Sequence, residues 1–246
     1  GLGLLERQEG RYTNSPMAEA CLVKGRQGYY GDMVRYVHFL FYDKGEKMEE
    51  VVRLDQPAML YEPLRRSDDE VSRLSTLAME GMSAKVGGLL AAALDLSKAR
   101  RLLDVGGGSG VIARCLAEAI PHLETVILDQ PRVLKVAEGL NASSPAASRI
   151  HTHVADYNQD DFPGGFDVLI LSNIIHINGA EACRRLMQKA YGALHPGGQA
   201  VVIDFYLEDD KRGPMFGNLF GLACSILSPD GATYSWAETE GWLREA

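Results

Sequence analysis

The sequence predicts an α/β fold, a doubly wound parallel sheet preceded by a helical segment. Three observations predict it. From residue 101 onward, short apolar runs alternate with amphipathic stretches, as strands joined by helical crossovers would. The first run, Arg101-Leu102-Leu103-Asp104-Val105, enters Gly106-Gly107-Gly108-Ser109-Gly110, a turn rich in the residue that bends most freely. Before residue 98 the apolar spacing is helical and the alternation is missing.

In chain order, residues 4–16 read as strand, turn and strand, with Gly10-Arg11 as the turn. Residues 17–62 read as mostly helical, with Gly28 and Gly31 as breaks. Ser67-Asp68-Asp69-Glu70 matches a capping box, and a long apolar-periodic helix follows to about Leu94. A boundary around Leu96-Ser97-Lys98-Ala99 divides a helical region, 1–97, from a sheet domain, 98–246. Strands are expected near 101–105, 125–128, 150–155, 166–171 and 199–205, and helices near 109–120, 131–140 and 179–194. An apolar helix over 215–227 and a last helix over 237–246 complete the pattern.

With 246 residues and 46% apolar content, the chain suffices for one large domain or a domain with an appendage. Its net charge of −8 disfavours nucleic acid and anionic membranes as partners. Cys21, Cys115, Cys183 and Cys224 are scattered, which fits reduced thiols in a cytoplasmic protein better than a disulfide frame or a metal site. No apolar run approaches the ~18 residues of a membrane span. Lacking an initiator Met and ending without a glycine cap, the chain reads as a fragment whose sheet continues further.

The glycine turn fits two cofactors. Gly108-Ser109-Gly110-Val111-Ile112-Ala113 satisfies a relaxed G-x-G-x-x-A dinucleotide fingerprint. Asp104-Val105-Gly106-Gly107-Gly108-Ser109-Gly110 resembles motif I of class I S-adenosyl-L-methionine (SAM) methyltransferases. Asp129, closing the second strand, could accept from both ribose hydroxyls under either reading. Asp156-Tyr157, closing the third, suits an adenine ring: one residue accepts from the amino group and the other packs on the face. Three acidic strand ends in series favour SAM over NAD.

The fourth strand leads into Ser172-Asn173-Ile174-Ile175-His176. His176 therefore lies just past a strand's C-terminal end, the edge where open α/β sheets bind ligands. Asp204 closes the fifth strand, and neighbouring strands about 4.8 Å apart can bring it to His176. A carboxylate beside an imidazole orients it and fixes its tautomer. The plainer alternatives are a histidine that caps the next helix and an aspartate that merely ends a strand.

Together these motifs resemble the plant-type and bacterial small-molecule O-methyltransferases, the family of caffeate and acetylserotonin O-methyltransferases. The resemblance implies a Rossmann-like, class I SAM-methyltransferase domain behind the remnant of a winged-helix dimerisation domain, and hence a homodimer formed through the N-terminal region. It implies a cofactor site of Asp104, Gly106, Gly108, Gly110, Asp129, Gln130, Asp156, Tyr157, Ser172 and Ser83, with S-adenosyl-L-homocysteine (SAH) as product and no metal. It places His176 at the family's base and Asp204 at a flanking carboxylate. Met79, Met82, Asn218 and Cys224 would face a small-molecule acceptor, and the apolar 215–227 helix would cover it. The sequence also departs from the plant pattern. His176-Ile177-Asn178 replaces His-Asp-Trp, Thr233 falls where a second carboxylate is expected, and Ser172 stands in place of a lysine.

Methyl transfer to a hydroxyl needs a base, because a phenol with a pKa of ~10 is scarcely ionised at pH 7. Two other readings stay open. One is transfer to N, S or C, which would depend less on His176. The other is a SAM-binding or dimerisation module without turnover.

Overall fold

Side-chain alternation along the central strands sorts the core onto two faces. In the computed structural model, residues 2–246 are described except Gln27 and Asp43, with only the backbone of Glu62, Pro63 and Arg66. Strands β3 (Arg101–Val105), β4 (Glu124–Asp129), β5 (Ile150–Val154), β6 (Phe166–Ser172) and β7 (Leu194–Ile203) pair in parallel in the order β5-β4-β3-β6-β7. The chain runs outward from β3 to β5, then returns to lay β6 on the other side of β3. The β3/β6 boundary is thus a topological switch point, where a crevice opens beyond the strand ends.

On one face Leu103, Val105, Leu169 and Leu171 pack under α8 (Ala180–Ala193) and α10 (Trp236–Glu245). On the other, Leu102, Val168 and Ile170 pack under α6 (Val111–Ala119) and the end of α5 (Asp69–Ala93). Full burial of such a leucine or isoleucine stabilises by roughly 1.5–3 kcal/mol. α7 (Pro131–Asn141) covers β4 beside Ile127.

Helices α1 (Pro16–Leu22), α2 (Gly31–Val37), α3 (Met48–Leu54) and α4 (Tyr61–Ser67) precede α5. Gly31 is the first residue of α2, so it opens a helix as well as separating two. A third apolar cluster joins Leu40, Tyr61 and Val71 to Ile226 and Leu227, which follow α9 (Met215–Ser225). There the amides of Met59 and Tyr61 donate to the carbonyls of Ile226 and Leu227 at 3.0 Å each, tying the helices before α5 to the segment after α9. Among the described residues, no helix is long and apolar enough to cross a membrane.

Two local expectations are corrected. β1 (Leu5–Gln8) and β2 (Arg11–Asn14) turn at Glu9-Gly10, not Gly10-Arg11. Both turn residues have positive φ, 49° and 80°, as a tight hairpin matching the strand twist demands. The cap of α5 is Asp68 rather than Ser67. Its carboxylate accepts from the Glu70 and Val71 amides at 2.8 and 3.1 Å, while Ser67 donates to the Leu64 carbonyl. A carboxylate at this end also meets the positive pole of the helix. A true capping box opens α10, between Ser235 and Glu238.

Candidate active site

A cavity of about 620 Å3 lies over the C-terminal ends of β3, β4, β6 and β7, between the sheet and the helical region. Gly106, Gly107, Gly108 and Ser109 form part of its wall. Gly106 and Gly108 have φ of +61° and +59°, which L side chains rarely adopt. A Cβ on Gly106 would meet Ile174 Cδ1 at 2.3 Å, whereas one on Gly108 would meet nothing within 4 Å and would only occupy open cavity. Gly108 is therefore the bare backbone surface a ligand can approach.

Gly110 has a different task. It caps α6 outside the cavity wall, with φ +74°, and a Cβ there would meet Ile127 Cδ1 at 2.2 Å and Asn141 Nδ2 at 2.8 Å. Asn141, buried behind the turn, donates to the carbonyls of Ser109 and Ala137 and accepts from Arg114. Gly110→Ala is expected to destabilise the fold by about 2–4 kcal/mol, through backbone strain and overpacking. A midpoint in urea equal to the unsubstituted protein's would show that the turn tolerates a Cβ.

Two carboxylates face the turn differently. Asp129 is pinned: the Gly108 amide donates to Oδ2 at 3.0 Å, the Gln130 amide to Oδ1 at 2.7 Å, and the Arg65 guanidinium lies 3.8 Å from Oδ1. Asp104 is buried, lines the cavity, and among the described residues neither oxygen has a hydrogen bond of ordinary geometry. Burial pushes its pKa up to about 7, against the pull of the Ala113 amide and with a small push from Asp129.

The turn of residues 174–178 after β6 carries His176. Asp204 Oδ2 accepts from the Ile175 and His176 amides at 3.1 and 3.4 Å. Its Oδ1 sits 2.8 Å from His176 Nδ1 and accepts from the Phe205 amide at 2.8 Å. Asp204 is almost inaccessible, its side chain 1% exposed, and it lies behind the histidine rather than in the cavity wall. A carboxylate can only accept, so Nδ1 must carry the proton, and the lone pair falls on Nε2. The His176 ring itself lines the cavity. Phe220 of α9 packs edge-on against it, with centroids 4.8 Å apart. The chain between α9 and α10 holds the turn from behind: the Ala232 amide donates to the His176 carbonyl at 2.9 Å, and the Tyr234 hydroxyl donates to the Asn178 carbonyl at 2.7 Å.

Of the other residues singled out from sequence, Tyr157, Ser172, Ser83, Met79, Met82 and Cys224 line the same cavity. Three do not. Gln130 caps α7 and borders a separate hollow of about 240 Å3 with Arg65 and Arg132. Asp156 lies outside the cavity and accepts from the Asn158 amide, closing its own loop. Asn218 is exposed, because the helical pitch brings Phe216, Phe220 and Cys224 to the cavity side of α9 and turns position 218 away. Thr233 donates to the Gly217 carbonyl, a contact that braces α9.

The sequence reading missed Arg65, Phe205 and the wall contributed by residues 30–41. Phe205 follows Asp204 directly, so its place at a strand end was a usable signal. Nothing local marks Arg65 or Tyr36, whose positions depend on packing between distant segments.

Residues 56–246 match the family model of the O-methyltransferase domain. Over the whole chain and 72% of the relative, the sequence is 34% identical to the 3-hydroxy-5-methyl-1-naphthoate 3-O-methyltransferase of Streptomyces sahachiroi. It is 28% identical to the L-tyrosine C(3)-methyltransferase of Streptomyces lavendulae, over 99% of this chain and 69% of the relative. The fold superposes on human N-acetylserotonin methyltransferase in complex with SAM with a TM-score of 0.88, at 22% identity, covering 99% of this chain and 73% of that one. The glycine turn and the histidine beyond β6 thus belong to a sequence that falls in a known group along most of its length: this chain is a member of the O-methyltransferase domain family and a SAM-dependent O-methyltransferase.

Proposed function

We propose that the cavity holds SAM against the glycine turn and transfers its methyl group to a hydroxyl of an aromatic small molecule, with His176 as general base. The observation that carries this reading is the His176–Asp204 pair, whose free ring nitrogen shares one cavity with the turn. The residues present fit the cofactor. Gly108 offers bare backbone, Asp129 is a fixed acceptor for ribose hydroxyls, and the buried Asp104 carboxylate calls for a positive charge. Tyr157 and Ser172 complete that wall, and Ser83, Met79 and Met82 of α5 face it.

Bound SAM supplies a methyl group activated by a sulfonium. The protein supplies alignment, worth up to about 7–11 kcal/mol, and a base, worth ~10²–10⁴-fold. Nε2 takes the phenolic proton as the new bond forms, and the imidazolium that results is stabilised by Asp204 across the 2.8 Å contact. Phe205 and Phe220 seat an aromatic ring, helped by the adaptable Met79 and Met82. Exposed Leu5, Tyr12, Met17 and Leu22 near the N-terminus support a homodimer through that region. The four free cysteines support a reducing compartment such as the cytoplasm.

The test is turnover with SAM on matched naphthalene acceptors carrying a hydroxyl, an amine or a thiol, with the methylated atom located by mass spectrometry. The expected product is the aryl methyl ether. Methylation of ring carbon, or an amine turned over as well as the phenol, would overturn the hydroxyl assignment. Asp204→Asn is expected to lower kcat on the phenol by about 10²-fold, because an amide can offer Nδ1 a donor and favour the wrong tautomer. An unchanged kcat would show that the histidine needs no such partner.

A further inference from the structure

The turn that carries His176 is held at both ends. Asp204 accepts from its first amides, those of Ile175 and His176. Asn178 closes the other end. Its Nδ2 donates to the Ile174 carbonyl at 2.7 Å, and its backbone amide donates to the Ile175 carbonyl at 3.1 Å. A carbonyl can only accept, so the first contact fixes which way the side-chain amide faces. Oδ1 is thereby turned outward from the turn, where it accepts from Asn158 Nδ2 at 2.9 Å.

Asn158 directly follows Tyr157, a residue of the cavity wall in the loop after β5. That loop is anchored separately. Lys189 of α8 donates from Nζ to the carbonyls of Tyr157 and Asp160 at 3.0 and 2.7 Å, and the Asn158 amide donates to Asp156 Oδ1 at 3.0 Å. The two asparagines therefore join the turn of the base to a loop that is already fixed. Asn178 is buried and Asn158 half-buried, and neither lines the cavity. Cutting the bridge thus removes no side chain from the cavity wall.

We propose that the Asn158–Asn178 bridge positions the base, locking the 174–178 turn to the loop of Tyr157 so that His176 keeps its place relative to the cofactor side of the cavity. Both asparagines are positioning residues that act through His176, and the inference rests on the assignment of His176 as the base. Alignment is where such a bridge has leverage, because a displacement of about 1 Å can cost ~10²-fold in rate.

The experiment measures turnover of 2-naphthol with SAM by the whole chain. Asn158→Ala is expected to lower kcat about 3- to 10-fold. SAH affinity and the KM for 2-naphthol should stay within about twofold, since Lys189 still holds the Tyr157 loop. Asn178→Ala also loses the Ile174 contact and is expected to lower kcat further, and adding Asn158→Ala to it should cost nothing more. In a His176→Ala background, Asn158→Ala should change kcat by less than about twofold, because the group it positions is gone. A loss there equal to that in the parent would mean a general structural effect and overturn the proposal. So would a kcat within twofold of the parent's for Asn158→Ala, or a loss carried by SAH affinity, and both would leave the methyl transfer intact. Full turnover by His176→Ala at pH 7 would overturn the base assignment and the bridge with it.

Discussion

His176→Ala is expected to lower kcat on a phenolic acceptor by about 10²–10⁴-fold at pH 7, with SAH affinity within about twofold. The ring lines the cavity and, among the described residues, is hydrogen-bonded to Asp204, so its loss is expected to remove a proton acceptor and little cofactor contact. The variant should recover as the solution is made alkaline. Once the phenol ionises unaided, near pH ~10, a base has nothing left to remove, and the gap to the unsubstituted protein should narrow by up to about tenfold per pH unit below that point. A pH-independent deficit would instead mean that His176 acts by packing against Phe220. Full activity at pH 7 would remove it from the chemistry.

Asp104→Asn is expected to have opposite effects on the empty protein and on its complex. In the folded chain the carboxyl has its pKa raised to about 7, against 3.8 when unfolded, because it is buried. Between those values the folded state binds more protons than the unfolded one, so stability falls as pH rises from about 4 to 7 and is level above that range. A shift of this size corresponds to about 4 kcal/mol lost on ionisation. The amide has no such charge. The unliganded Asp104→Asn protein should therefore melt higher than the parent at pH 8, and the difference should vanish toward pH 4. SAM brings positive charge and should favour the ionised carboxylate, so its affinity for the parent should rise with pH up to about 7, with a proton released on binding. Asp104→Asn should bind SAM about 10- to 100-fold more weakly and without that pH dependence. Calorimetry in buffers of different ionisation enthalpy reads the proton directly. Equal affinities for parent and variant would show that Asp104 does not meet the cofactor's charge.

The parts of this site that were legible in the sequence are those fixed by local pattern. The strand–glycine–helix passage at 101–120 is read from neighbours in the chain, and His176 and Asp204 are found because each follows the end of a predicted strand. Their pairing follows from strand adjacency alone. The sequence does not show which side chains reach the cavity where direction depends on helical phase or on a turn. Asn218 lies on the right helix but the wrong side of it, and Asp156 bends back onto Asn158. Gly110 and Gln130 belong to the correct turns, yet one fills a packing gap and the other caps a helix. Tyr36, Tyr61 and Arg65 were invisible, because each meets the cavity only after segments far apart in sequence have packed, as at the 59–61 and 226–227 contact.

That contact joins two kinds of wall around the cavity. The wall proposed to face the cofactor is built largely by the strand ends and the turn, where a Cβ on Gly106 would collide with Ile174. The wall proposed to face the acceptor is built by residues 30–41 and by α9, neither of which supplies a strand to the sheet. Substitutions confined to those two segments are therefore expected to change the choice of acceptor while SAM affinity stays the same.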